Sequence, residues 1–173
     1  RVQARHHQEQ ALAGLARARE LFLALKGLLD LAWQDEQQIK ERLQPDLLPT
    51  DEGIAAAGAL QEANLARMRR VGDQIAAAKN SARQAGQPQQ PGGDQTTAKE
   101  NPTGEEELQR LERASELQAL TVEKMDLARQ DLLAAKGEKT SADPGRDDLG
   151  PARVRIDTVL GILEELRQLF FSV

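Results

Sequence analysis

The chain has no cysteine and no tyrosine, and its 173 residues include only two histidines, one tryptophan and three phenylalanines. Without cysteine there are no disulfides, no thiolate chemistry and no cysteine-based zinc sites. That absence also fits a cell-envelope or secreted location, and equally the cytoplasm, where many helical proteins lack cysteine too. The aromatics are Phe22, Trp33, Phe170 and Phe171, so the 39% of hydrophobic residues is mostly alanine and leucine. A core of that composition needs closely spaced helices and thin layers, which argues against a β-sandwich or an α/β core. β-Branched and aromatic residues nowhere cluster with period two, so strand signals are missing too.

Long hydrophobic runs are also scarce. The most apolar stretch, Leu21 to Trp33, is interrupted by Lys26 and Asp30 and falls short of the ~20 residues a membrane-spanning helix needs. No membrane span is expected within the sequence; flanking membrane helices are compatible with it. Charge of one sign does not accumulate either. The 28 acidic and 23 basic residues, net −5, are interspersed, as on the solvated faces of long helices. The densest basic cluster, Arg67, Arg69 and Arg70, forms no stripe, and no nucleic-acid partner is expected.

What the sequence does have is a seam in heptad steps. It runs through Ala4, Gln8, Ala11, Leu15, Ala18, Phe22, Leu25, Leu29, Ala32, Glu36, Ile39 and Leu43. The final segment repeats the spacing through Ala152, Ile156, Val159, Leu163, Leu166, Phe170 and Val173. Alternating steps of three and four keep one stripe of a helix facing a partner helix. The seam is still running at Val173, and the sequence opens on Arg1, so we expect a single helical domain cut from a longer protein.

The fold class expected is all-α, an antiparallel four-helix bundle or coiled-coil hairpins with one long flexible loop. The helices are placed at about 2–43, 51–85, 104–136 and 151–172. Pro45 stops the first, because it lacks a donor and clashes with the preceding turn. Leu12, Leu21, Leu23, Leu28, Leu31 and Trp33 widen that helix's apolar face enough to need more than one neighbour. Thr50 is a plausible N-cap for the second helix. Its seam is Ile54, Ala57, Gln61, Asn64, Met68, Val71, Ile75, Ala78 and Ala82. Gln61 and Asn64 stand on it as polar residues, read as a partly solvated end or as markers of register. Residues 86–102 form a flexible loop of Gly, Gln, Pro, Asp and Thr. Thr103 and Glu106 read as a capping box for the third helix, whose seam of Leu108, Leu111, Val122, Met125 and Leu132 is interrupted by Ser115, Gln118 and Arg129. Residues 137–150 form a polar loop, after which Pro151 suits a first helical turn. Up-down-up-down is the simplest topology; the alternative is an elongated pair of hairpins, open along one side.

No catalytic constellation can be assembled. His6 and His7 are adjacent and point to different faces of a helix near its end, so even with Glu9 and Gln10 they make a poor metal site. There is no His-Glu-x-x-His motif, phosphate-cradling glycine loop, nucleophile elbow or Glu-x-x-His pattern. Glu36, on the seam, is expected to pair with a cation on a neighbouring helix or to mark where packing gives way to solvent.

The sequence therefore points to no catalytic, cofactor or metal site. The expected function is a non-enzymatic interaction or scaffold segment of a larger bacterial protein, its seams packing on the rest of the chain, on a second copy or on another protein's helix. Candidate partner contacts are Leu166, Leu169, Phe170, Phe171, Leu21 and Leu28. A second reading is an extracytoplasmic four-helix sensor or ligand-binding domain of a membrane receptor. The resemblance there is architectural only.

Overall fold

The computed structural model describes residues 2–47, 49–85, 102–137 and 147–171. Four helices carry the fold: α1 (Val2–Arg42), α2 (Asp51–Ala85), α3 (Pro102–Gly137) and α4 (Gly150–Phe171). Short 3-10 turns at Pro45–Leu47 and Asp147–Leu149 precede α2 and α4, and the described residues contain no strand.

The helix ends follow local chemistry. Before Pro45 the chain tightens, with Leu43 N–H donating to both the Ile39 and Lys40 carbonyls at 3.2 Å. Thr50 caps α2: its hydroxyl accepts the Gly53 N–H at 3.1 Å and its carbonyl accepts the Ile54 N–H at 2.9 Å. Asp51 and Glu52 occupy the first turn, where the helix dipole favours negative charge. Helix α3 begins at Pro102, one residue before the expected cap, so Thr103 lies inside its first turn. Proline tolerates that position because its missing N–H would have no partner there. Pro151 lies in the first turn of α4 for the same reason. The expected loops fall largely outside the described residues, at 86–101 and 138–146.

The four helices form a closed antiparallel ring, with α1 against α2 and α4, and α3 against both of the others. The open hairpin pair is not adopted. Helix α4 is tied to α1 along its length, by Arg153 to the Leu43 carbonyl, Lys40 to Asp157 and Arg167 to Asp30. Two apolar clusters fill the ring. The upper one gathers Leu25, Leu29, Met68, Ile75, Leu111, Met125, Leu163, Leu166 and Phe170. The lower one gathers Ile39, Leu43, Ile54, Leu132, Leu149, Ile156 and Leu160. Trp33 touches both. Each fully buried leucine or isoleucine contributes about 1.5–3 kcal/mol relative to exposure.

In α3 half the predicted seam is corrected. The buried residues are Leu111, Ala114, Leu117, Thr121, Met125, Ala128, Leu132 and Ala135. Ser115, Gln118, Val122 and Arg129 flank this line, half-buried. The physical reason is that the side of α3 turned toward α2 and α4 decides burial, and small residues there pack as readily as large ones. A Cβ built on Gly72 would stand 2.6 Å from Gln118 Nε2, which donates to the Met68 carbonyl at 2.9 Å.

Candidate functional site

Between the two apolar clusters lies a layer that is polar. Glu36 of α1 and Gln61 and Asn64 of α2 are each 0% exposed, so the reading of Gln61 and Asn64 as a solvated helix end is overturned. Glu36 does not pair with a cation either. Its Oε2 accepts from Asn64 Nδ2 at 2.8 Å and from Gln61 Nε2 at 3.2 Å. Asn64 Nδ2 also donates to the Ala32 carbonyl at 2.9 Å, and Asn64 Oδ1 accepts from Arg67 at 2.8 Å. The guanidinium of Arg67 forms its ion pair with Asp35. Glu36 Oε1 and Gln61 Oε1 are buried with no donor.

Electrostatics follow from this arrangement. Burial raises the Glu36 pKa from its ordinary 4.5 to about 7, against the lowering effect of the Asn64 and Gln61 amides and with a small further rise from Asp35. Taking a carboxylate out of water disfavours its charged form. The layer thus joins the Glu36 carboxyl to two amides, with the Arg67–Asp35 ion pair at its edge.

A second feature lies on the surface. The six successive residues Arg5 to Gln10 are all exposed, which covers every face of the helix. The last described turn of α4 lies beside Phe22 and Lys26: the Phe22 and Phe170 rings are 5.8 Å apart, and Lys26 Nζ lies 5.3 Å from the Phe171 ring centre. Above that level no described residue of α4 lies against α1, and this part of the helix forms an arm.

The face of α1 that meets α4 continues up this arm. Counting by sevens from Lys40 gives Trp33, Lys26, Arg19, Leu12 and Arg5. The first three engage α4. Lys40 pairs with Asp157 at 2.8 Å, Trp33 lies under the Arg167 guanidinium at 4.8 Å, and Lys26 faces Phe171. The last three are exposed, Leu12 at 65% and nearby Leu23 at 60%. Neither Arg5 nor Arg19 has an ion-pair partner among the described residues. The spacing of seven was available in the sequence, but the end of the α4 contact was not.

Of the sequence-predicted partner contacts, Leu166 and Phe170 are fully buried in the upper cluster and have no surface to offer a partner. Leu21, Leu28 and Leu169 are half-buried. Phe171 is 46% exposed at the base of the arm. His6 touches Gln10, Nε2 to Nε2 at 3.2 Å, and among the described residues no three His, Asp or Glu side chains converge as a metal site would require. The groove between α3 and α4, lined by Lys124, Pro151, Val154, Arg155 and Thr158, presents two cations and a hydroxyl but no carboxylate or imidazole. No helix among the described residues is long and apolar enough to cross a membrane.

Compared with known protein families, with curated proteins and with solved structures, the chain matches none of them.

Proposed function

We propose that this chain is a non-enzymatic helical interaction module that docks an amphipathic partner helix along the arm of α1, in line with α4. The observation behind this reading is the exposure of Arg19, Leu12 and Arg5, which carry the α1–α4 contact face beyond the last described residue of α4, with exposed Leu23 beside it. A helix seated there would extend an interface the bundle already uses, by the helix-in-groove mode.

The chemistry of the occupant follows from the stripe. Leu12 and Leu23 call for an apolar seam. Arg5 and Arg19 occupy the heptad position at which Lys40 meets Asp157, and so call for acidic residues on the partner's flank. The exposed Phe171 ring closes the lower end of the groove.

The test uses two synthetic helical peptides with the same leucine and alanine seam, one flanked by glutamate and one by lysine. The glutamate peptide is expected to bind and to slow amide exchange over residues 5–20, and Leu12→Asp to abolish both effects. Equal binding of the two peptides, or no binding by either, contradicts the reading. Light scattering is run alongside. A dimer dissociated by Leu12→Asp would replace the partner helix with a second copy of the chain.

A further inference from the structure

The hydrogen-bond inventory of the polar layer does not close. An ionised carboxylate offers only acceptors. Both amide donors go to Glu36 Oε2, while Glu36 Oε1 and Gln61 Oε1 receive none. Asn64 has nothing left to give, since its amide already serves Ala32 and Glu36 and its carbonyl is taken by Arg67. With Glu36 ionised, neither of these two buried oxygens receives a hydrogen.

One proton supplies it. Protonation turns the Glu36 carboxyl into a donor. A half-turn of the Gln61 amide then puts Oε1 where Nε2 now stands, 3.2 Å from Glu36 Oε2, to accept that hydrogen. The same contact thus serves either protonation state, with the direction of donation reversed.

We propose that Glu36 is the proton-binding element of a latch between α1 and α2. When protonated it is neutral and leaves no buried charge in the polar layer, and when ionised it leaves an uncompensated charge that loosens the bundle between its two apolar clusters. Such a layer is a weak point by construction, because an unpaired buried charge is destabilising where an apolar residue would not be.

The charges facing Glu36 from each packed helix do not remove this effect. On α1, Asp35 is engaged by Arg67, and Lys40 by Asp157. On α2, Arg67 serves Asp35 and Asn64, and Glu62 is exposed. On α3 the buried residues at this level are Thr121, Met125 and Ala128; Lys124 pairs with Glu123, and Arg129 with Asp126. On α4 they are Val159 and Ile162, with Arg155 drawn to Asp131 on α3.

The sign of the pH dependence follows. The folded chain keeps a proton on Glu36 that the unfolded chain has released, between the ordinary 4.5 and about 7. This contribution is complete below pH 4.5, declines as pH rises and is gone above about 7. Across that window the folding equilibrium constant weakens by as much as roughly 300-fold.

The experiment is urea denaturation of the intact chain from pH 4.5 to 8.5, set against Glu36→Gln, which fixes the neutral donor-bearing form. The wild type is expected to lose stability with rising pH relative to the variant, whose other titrating groups are the same. Parallel profiles would overturn the latch. Carbon-13 NMR titration of the Glu36 carboxyl in the wild type stands independently of whether the variant folds. A midpoint near neutrality is expected, and an ordinary carboxylate midpoint would overturn the proposal.

Discussion

The two halves of α1 carry the same heptad spacing and meet opposite fates. From Phe22 to Leu43 the seam residues are buried or half-buried inside the bundle, with α2 and α4 alongside, whereas Arg5 to Gln10 is exposed on every side. The difference lies in the neighbours: the described residues of α4 lie against α1 only as far as Phe22 and Lys26. Heptad spacing makes a helix able to pack. Whether it packs is decided by which other elements reach it.

The largest expected effect separates these halves directly. Leu29→Ala, in the upper cluster, should lower stability by about 2–5 kcal/mol through lost burial and a residual cavity. Leu12→Ala, on the arm, should stay within about 0.5 kcal/mol. Urea midpoints of the two variants measure the contrast, and equal losses would erase it. Next comes the polar layer that divides the packed half. Asn64→Ala removes the donor to the Ala32 carbonyl and Glu36 Oε2. A loss of about 1–3 kcal/mol is expected, larger above pH 7, where Glu36 is ionised, than at pH 5.

Smaller effects sharpen the comparison. Thr50→Ala removes the hydroxyl that caps α2 and should lower the urea-derived stability by about 1 kcal/mol, with Thr50→Gly costing only a few tenths. The smallest concerns the shared stripe. Lys40→Ala breaks an exposed ion pair with Asp157 and should change stability by less than about 1 kcal/mol, with the difference shrinking as salt is added. Arg19→Ala, at the equivalent position on the arm, should leave the free chain's stability unchanged and weaken only the binding of an acid-flanked helix.

Much of the architecture could be read from residue spacing. In α4 every described residue of the predicted seam from Ala152 to Phe170 is buried. The cap at Thr50 and the stop before Pro45 follow from local chemistry that acts within a few residues. What escaped the reading depends on contacts between helices. In α3, aligning the seam on large apolar residues chose Val122 over Thr121 and Ser115 over Ala114. The actual line alternates large residues with Ala114, Thr121, Ala128 and Ala135, so it is set by which side of α3 faces α2 and α4 and not by where the large residues fall. Gln61 and Asn64 were recognisable as polar residues on a seam. That they face Glu36, and not solvent, depends on the register between α1 and α2, which neither helix's own spacing specifies. The arm was hidden for a related reason: the stripe from Lys40 to Arg5 is periodic in sequence, but which of its residues a second helix covers depends on how the helices pack.

The most direct test of the account is residue-resolved amide hydrogen exchange along α1, at a concentration where light scattering finds a monomer. Helical amides outside tertiary packing open readily, because a helix alone is only marginally stable. Strong protection from about Leu25 to Leu43, falling to fast exchange before Phe22, is the result predicted. Uniform protection from residue 5 to residue 43 in the monomer would contradict the claim that the arm waits for a partner.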